Sequence, residues 1–320
     1  MHSEPFVKRK LQNWLHSAVL FLGMVLLFAV IGSLIGGTTG VILLALFGFV
    51  LFLLTSKVGP QMVLWTYRAR PLTYEEAPRL LAAVAELSER AGLPQPPRLY
   101  YVPSQMVNAF SVGQSRNAAV AITDGIIRHL SFRELVGVLA HEISHIKHND
   151  LFVMGLADMV NRTTSTLSLL GQFLLFVNLP LILMGGYRLP WLAIVLLIFA
   201  PTVSSLLQLG LSRSREYDAD LEAARLTGDP EGLASALVKL ERLEASFLER
   251  IFLPGRRIPE PSLLRTHPKT EERVRRLMEL KAELERPQPT PEETALLDLV
   301  SIPTHELRNP RWRVLGGLWY

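Results

Sequence analysis

Four long apolar segments constrain the fold of this chain more than any other feature of its sequence. They run from about Ala18 to Ile35, Val41 to Leu54, Leu167 to Met184 and Trp191 to Leu209. A helix needs about 20 residues to cross a hydrocarbon core of about 30 Å. The sequence therefore predicts a mainly α membrane protein with four transmembrane helices.

Two of these segments have alternative interpretations. Gln172, Asn178 and Pro180 interrupt the third segment, so it could be a helix buried in protein or one that only dips into the bilayer. The first segment could be a signal peptide, but its apolar stretch is too long and no clear A-x-A cleavage site follows it. A helical hairpin that turns at Gly36 and Gly37 explains the first two segments better.

Basic residues flank the apolar segments asymmetrically. They precede the first segment and follow the second and the fourth, whereas the turn between the first two carries no charge. The positive-inside rule then places both termini, and residues 57–165, in the cytosol. The formal net charge of +4 has the same explanation, so the bilayer is an expected partner and nucleic acid is not. The flanking residues are Lys8, Arg9, Lys10, Lys57, Arg68, Arg70, Arg213 and Arg215.

The residues outside the apolar segments indicate an α+β domain with a small antiparallel sheet. A helix is predicted from a cap at Thr73 through Arg90, with Gly92 as its stop. Arg98–Val102 is typical of a strand, and Ala109–Val112 with Ala118–Ile122 is typical of an antiparallel pair. Further helices are predicted at Arg215–Leu226, Leu233–Arg250 and Lys269–Leu284. The predicted organisation is a hairpin over 1–57, catalytic-domain segments over 58–165 and 212–320, and a second hairpin over 166–211.

The helix predicted to begin at Ser131 carries the motif His141-Glu142-Ile143-Ser144-His145. Ser131 and Glu134 are spaced as a capping box. His141 and His145 lie one turn apart on the same helix face, so their imidazole nitrogens can share one Zn²⁺. Glu142 can reach a water on that zinc and act as a general base. The chain has no cysteine, so any other ligand is His, Asp or Glu.

A catalytic zinc site needs a third protein ligand, which the motif does not supply. Leu151 stands where the extended variant of the motif has a third histidine. Asp158 is the only acidic residue between Leu151 and Arg215, and the next is Glu216. Glu216 and Asp220 share a helix face, so one could bind the metal and the other could hold the free ring N–H of a ligand histidine. The alternative is a solvated, charged helix start.

The chain resembles the HtpX-type membrane zinc metalloproteases, which are related to the CAAX prenyl endopeptidases. The resemblance rests on His141-Glu142-Ile143-Ser144-His145 and on Ser212-Arg213-Ser214-Arg215-Glu216-Tyr217-Asp218-Ala219-Asp220, with weaker support from Asn108–Gly113 and Thr266-His267-Pro268. It implies a zincin-like catalytic domain, Glu216 as the third zinc ligand and Asp220 as a residue that orients the site. It also implies four spans, a cytosolic site in the inner membrane and a role in removing damaged membrane proteins.

Several other residues near the motif have two interpretations each. His148 could be a fourth ligand, but it is expected to be only a polar residue at the helix end. Asn108, Ala109, Phe110, Ser111 and Val112 could form an edge strand that binds substrate in extended form, or an ordinary core strand. His267 could donate to the oxyanion of the transition state, or simply precede a helix. Arg213 and Arg215 are expected to anchor at the membrane surface rather than to pair with Asp218 and Asp220.

The sequence therefore predicts a membrane-embedded zinc endopeptidase with one Zn²⁺ per chain. His141, His145 and Glu216 are the predicted ligands, Glu142 is the predicted base, and membrane-protein segments or peptides are the predicted substrates. One rival hypothesis is a non-catalytic membrane scaffold or metal sensor, which would need a fourth ligand from His148 or His267 and would leave Glu142 unexplained. The other rival is a selective protease that processes a single substrate.

Overall fold

Within residues 4–56, 60–113, 116–183, 191–252 and 269–285, which are those that it describes, the computed structural model has nine helices and four short strands. The chain divides into two compact units, Met1–Lys281 and Ala282–Tyr320. The helices are α1 (Glu4–Ser56), α2 (Pro60–Thr66), α3 (Pro78–Ala91), α4 (Asp124–His129), α5 (Phe132–Lys147), α6 (Asp150–Leu183), α7 (Trp191–Thr227), α8 (Pro230–Phe252) and α9 (Thr270–Glu285). The strands are β1 (Arg70–Pro71), β2 (Arg98–Val102), β3 (Ala109–Val112) and β4 (Ala119–Thr123).

The first two apolar segments form a helical hairpin, as predicted. The backbone of α1 leaves helical geometry at Gly36 and Gly37, and Gly37 takes a φ of 58° that favours glycine. The two halves then pack closely against each other. A Cβ added to Gly32 would lie only 2.7 Å from the Cα of Val41. The close approach of these backbones explains why the turn and its neighbourhood are rich in glycine.

Two helices of the described chain are long and apolar enough to cross a membrane. They are Lys10–Leu34 within α1 and Trp191–Thr227, which is α7, while Gly36–Val50 is a shorter apolar helix. Helix α6 packs along α7, and the Ser168 hydroxyl donates to the carbonyl of Ile198 at 3.1 Å. Large apolar side chains on the outer faces of these helices are exposed, which is typical of a lipid-facing surface. They include Val19, Leu22, Leu26, Phe173 and Phe199.

The sheet is mixed, so the prediction of an antiparallel sheet is wrong in part. Its strand order is β1-β2-β4-β3. The pairs β1·β2 and β3·β4 are antiparallel, as predicted for the second pair, but β2 and β4 run parallel. Strand β4 occupies the centre, and all five of its small apolar or hydroxyl residues are buried, which suits a strand covered on both faces. Strand β3 lies at one edge.

Two helix boundaries differ from the sequence prediction. Helix α3 begins at Pro78 rather than after Thr73, because residues 73–77 form a turn in which Glu76 accepts from the Thr73 backbone N–H at 3.2 Å. Its end is as predicted, with Gly92 left-handed at φ 71°. The predicted fourth span and the predicted helix at Arg215–Leu226 are one continuous helix, α7. This continuity carries the chain from the apolar segment directly to Glu216.

Helix α5 lies in the main hydrophobic core of the chain. The predicted capping box is present: Ser131 accepts from the Glu134 N–H, and Glu134 accepts from the Ser131 N–H at 2.8 Å. Leu139, Ile143 and Ile146 are fully buried on its inner face against the sheet, α3, α7 and α8. This burial on one face fixes the rotation of α5 and so the direction in which the other face projects.

Glu134 also joins α5 to α8. Its carboxylate accepts hydrogen bonds from Ser235 at 2.6 Å and from Lys239 at 2.8 Å. Burial raises the pKa of Glu134, but the bonds from Lys239, Ser235 and Ser131 outweigh it and lower the pKa to about 2. Because the folded pKa lies below the ordinary value, the bonds stabilise the fold above pH about 4.5 and lose that effect as the pH falls toward about 2.

We expect Glu134→Gln to destabilise the protein at pH 7 by about 1–2 kcal/mol, since the Lys239 partner is 45% exposed and solvent screens the pair. The difference from the wild type should shrink as the pH falls below about 4.5. Thermal unfolding in detergent at pH 7 and pH 3 measures it. Glu86→Gln, which removes an exposed carboxylate from α3, is the control. Equal stability of Glu134→Gln and wild type at pH 7 would contradict the expectation.

Candidate metal centre

Helix α5 brings the two motif histidines together on its outer face. The Nε2 atoms of His141 and His145 lie 3.1 Å apart, and the two rings meet edge to face at 87°. His141 is buried and His145 is partly buried. The i, i+4 spacing in the sequence predicted this shared face, and the burial on the opposite side of α5 explains why the rings cannot rotate away.

Each histidine ring is held at its other nitrogen by a buried carboxylate. His141 Nδ1 lies 3.0 Å from Asp220 Oδ1, and His145 Nδ1 lies 2.8 Å from Asp150 Oδ2. A carboxylate only accepts hydrogen bonds, so each Nδ1 carries a hydrogen, and each Nε2 is the atom that can bind either a proton or a metal ion. The two Nε2 atoms lie 3.1 Å apart, so they repel each other unless a proton or a metal ion lies between them.

Glu216 completes the group from helix α7. Its side chain is buried, with Oε2 at 3.5 Å from His141 Nε2 and Oε1 at 3.9 Å from His145 Nε2. One ligand atom from each of the three residues lies within 4.8 Å of the others. Zinc bonds of about 2.0–2.1 Å imply tetrahedral ligand separations of about 3.3 Å, which is close to these distances.

The composition of this group also fits zinc. It offers two imidazole nitrogens and one carboxylate, a ligand set found in catalytic zinc sites that keep a fourth position open. Among the described residues, no fourth His, Asp or Glu joins the group. His148 does not join it either, because its Nδ1 donates to the carbonyl of Ser144 at 3.0 Å at the end of α5.

The electrostatics of the site favour a bound positive charge. Burial lowers the pKa of His141, but hydrogen bonds to Asp220 and Glu216 outweigh it and raise the pKa to about 10. A proton on that ring and a metal ion are therefore alternative ways to neutralise the buried carboxylates.

Arg273 of α9 contributes a fixed positive charge beside the group. Its guanidinium donates two hydrogen bonds to Asp220, at 2.6 and 2.7 Å, and lies 3.2 Å from Glu216 Oε2. Burial lowers the pKa of Arg273, but the carboxylates of Asp220, Glu216 and Glu142 together raise it above its ordinary value. The arginine thus places a buried positive charge against the carboxylates of both Asp220 and Glu216.

Glu142 lies next to His141 and is only partly buried. Its carboxylate forms no hydrogen bond or ion pair with the described residues, although it is near enough to Arg273 to affect that group's pKa. A carboxylate placed beside a metal group and not engaged by neighbouring donors is available to accept a proton.

The other predicted site residues have mixed outcomes. Asp220 lies in the site, at the ring nitrogen of His141. Strand β3 is an edge strand, and Asn108 before it is tied to Thr123 by hydrogen bonds at 2.9 and 3.0 Å. His267 lies outside the described residues. Arg215 is buried and pairs with Asp150 and Asp218, so the expectation that it anchors at the membrane surface is wrong.

Two residues of the site were not predicted from the sequence. Asp150 follows His145 by five positions, beyond the end of α5, and reaches the ring because the chain reverses at Asn149, whose φ is 53°. That reversal was the available signal, since asparagine tolerates positive φ. Arg273 sits in an ordinary charged stretch of α9 and carries no local signal.

Comparisons with known proteins identify the family of this chain. A family model described as peptidase family M48 matches residues 75–281. A "Protease HtpX homolog" from Persephonella marina is 39% identical over 283 residues, covering 82% of this chain and 96% of the relative. Another, from Burkholderia ambifaria, is 35% identical over 286 residues and covers 84% and 97%.

A solved structure shares the fold. The crystal structure of S. mikatae Ste24p matches with a TM-score of 0.50 at 20% sequence identity, covering 86% of this chain and 66% of that protein. The family predicted from the two motifs is thus confirmed, and the hypothesis of a non-catalytic scaffold gives way to a protease. The chain belongs to peptidase family M48, among the HtpX-type membrane metalloproteases.

Proposed function

We propose that this protein is a membrane-embedded zinc endopeptidase that cleaves membrane or misfolded proteins at the cytosolic face of the inner membrane. The observation that carries the proposal is the group of His141, His145 and Glu216, with two imidazole lone pairs facing each other beside the carboxylate of Glu142. A metal ion would satisfy both imidazole nitrogens at once, and Glu142 would lie beside it to accept a proton from water.

The three residues of the group would hold one zinc ion, and Glu142 would act as the general base. A bound zinc ion would supply Lewis-acid chemistry, which in such sites lowers the pKa of a water from 15.7 to about 7. Glu142 would take the proton from the attacking water and pass it to the leaving amine. Asp220 and Asp150 keep the histidine rings in the orientation and tautomer that binding needs.

Substrate would bind along the edge strand β3. This strand pairs with β4 on one side only, and its other edge has backbone groups free for an extended peptide within the described sheet. Asn108 is fixed to Thr123 at the start of this strand, which holds the edge in place against α5. An added strand here would lie beside β3, which packs against α5, the helix that carries Glu142.

The proposed topology has four spans, with both termini and the site in the cytosol. Support comes from the two long apolar helices, from the hairpin within α1 and from the basic residues at the segment ends. Helix α7 continues without a break from the apolar residues to Glu216, seven residues beyond Leu209 and thus about 10 Å further. The metal group would therefore lie at the membrane surface, between the two hairpins over 1–57 and 166–211.

The proposal predicts that activity depends on zinc. We expect a chelator to abolish cleavage of casein or of a model membrane substrate, and stoichiometric zinc, but not magnesium, to restore it. Peptide release by the purified protein in detergent measures the effect. Full activity of a preparation shown by elemental analysis to contain no transition metal would overturn the zinc assignment.

A broad quality-control role is to be distinguished from selective processing. Peptides released from native membranes by wild-type protein and by a Glu142→Gln variant can be compared by mass spectrometry. Cleavage of many membrane proteins by the wild type alone favours quality control. Cleavage of one protein at one position favours a processing protease with the same chemistry.

A further inference from the structure

A buried polar contact joins the first membrane helix to the helix that carries Glu216. Asn13 and Ser17 of α1 are buried, one turn apart, against α7. The Asn13 side-chain amide donates to Asp218 Oδ1 at 3.0 Å, and the Ser17 and Ser214 hydroxyls lie 3.0 Å apart. Polar groups buried between helices destabilise the fold unless they are hydrogen bonded, so these partners hold α1 in one register on α7.

The Asn13 contact continues, residue by residue, to the metal group. Asp218 Oδ2 accepts from Arg215 at 3.3 Å, and Arg215 Nε donates to Asp150 Oδ1 at 2.6 Å. Asp150 Oδ2 in turn accepts from His145 Nδ1 at 2.8 Å. Each link is a direct contact between side chains that are at most 15% exposed. Ser17 is not part of this series. Its partner Ser214 donates to the backbone carbonyl of Asn13, whereas the series begins at the Asn13 side-chain amide.

We propose that Asn13 is a positioning residue of the metal centre, which acts on His145 through Asp218, Arg215 and Asp150. This inference rests on the zinc site proposed above. It makes the first membrane hairpin a part of the catalytic apparatus in addition to an anchor.

The reason is that Arg215 serves two carboxylates at once. Its guanidinium donates to both Asp150 and Asp218. Asp218 also accepts a hydrogen bond from the side-chain amide of Asn13. Without that amide, the carboxylate of Asp218 would no longer be fixed in one position, and Arg215, which bonds to it, would shift relative to Asp150. Asp150 would then hold the His145 ring less firmly, and a loosely held ligand binds metal more weakly.

The test replaces Asn13 in the full-length protein and measures zinc affinity by competition with a chromophoric chelator. We expect Asn13→Leu to weaken zinc binding by about 10-fold, at the low end of the effect of groups that orient metal ligands. The visible absorption of the cobalt-substituted protein should also change, because the geometry of a ligand has changed. Unaltered affinity together with an unaltered cobalt spectrum would overturn the proposal.

Two variants in the same helix separate positioning from stability. Ser17→Ala removes a buried hydrogen bond between α1 and α7 without breaking the series to His145, so it should lower the unfolding temperature and leave zinc affinity unchanged. Gln12→Leu makes the same chemical change at an exposed neighbour and should alter neither quantity. A loss of zinc affinity in Ser17→Ala as large as in Asn13→Leu would show that any loosening of α1 has this effect, which contradicts a specific role for Asn13.

A second variant keeps the test decisive if Asn13→Leu does not fold. Asp218→Asn retains size and can still accept from Asn13, but it loses the charge that holds Arg215, so it should also weaken zinc binding. Wild-type zinc affinity in Asp218→Asn would show that the contact between Asp218 and Arg215 has no effect on the metal centre, which contradicts the proposal. Failure of the wild type itself to bind zinc would instead refute the proposed function, so the two failures are distinguishable.

Discussion

Replacing Glu142 with glutamine is expected to lower kcat by about 10²–10⁴-fold, the contribution of a positioned general base. The change removes only the ability to accept a proton, because glutamine has nearly the same shape. Zinc content should stay at the wild-type value, since Glu142 is not one of the three residues whose ligand atoms converge. Peptide release and elemental analysis on the same preparation measure the two quantities.

The reason for so large an effect is the placement of this carboxylate. Glu142 lies beside His141, is partly exposed, and forms no hydrogen bond or ion pair within the described part of the chain. The carboxylates around it are already committed: Asp220 bonds Arg273 and His141, and Asp150 bonds His145 and Arg215. Neither of these acidic groups is available to take over the proton.

Glu89→Gln is the matched control, because it makes the same change at an exposed position of α3 and should leave activity unchanged. Glu142→Asp keeps the carboxylate but withdraws it by one methylene, so it should retain part of the activity. Wild-type turnover in Glu142→Gln would show that another group accepts the proton. Loss of zinc in the same variant would show that Glu142 supports the metal rather than the reaction.

The parts of this fold that could be predicted are those whose cause is local. Residues 98–102 form a strand and Ser131 caps α5 because each depends on a pattern a few residues long. The His141 and His145 pair followed from helix periodicity alone. Helix α3 was placed too early because a turn held by Arg70, Thr73 and Glu76 competes with its first turn, and no helical pattern reveals such a turn.

The parts that could not be predicted depend on contacts between distant elements. The parallel pairing of β2 with β4 places β4 inside the sheet, although β3 lies between them in the sequence. Arg273 reaches Asp220 across 53 positions, and its own helix shows only alternating charges. The periodicity of α5 does not identify Asp150, because this residue returns to the site through the chain reversal at Asn149. Buried ion-pair networks of this kind become visible only when the packing is known.

Replacing Glu216 is expected to remove most of the zinc affinity. Loss of a direct ligand should exceed the change of about 10–100-fold produced by residues that only orient ligands. Glu216→Ala leaves the 3.2 Å contact of Arg273 without its acceptor, so Glu216→Gln, which keeps an oxygen there, is the second variant. Both should fall well below wild-type zinc occupancy in the chelator competition, and a variant that retains wild-type affinity would remove Glu216 from the ligand set.

The same variants test whether the metal joins the two halves of the catalytic unit. His141 and His145 lie on α5, whereas Glu216 lies on α7, beyond the second apolar hairpin. A bound ion would therefore connect two segments of the chain, and His145 and Glu216 are 71 positions apart. A ligand present at 1,000 times its Kd stabilises a fold by about 4.1 kcal/mol. Zinc should therefore raise the unfolding temperature of the wild type and have little effect on either Glu216 variant.

Glu222→Ala is the control, because it removes another buried carboxylate from α7. It should lower the unfolding temperature while keeping the zinc-dependent increase. An equal zinc response in all these proteins would place the metal elsewhere in the chain.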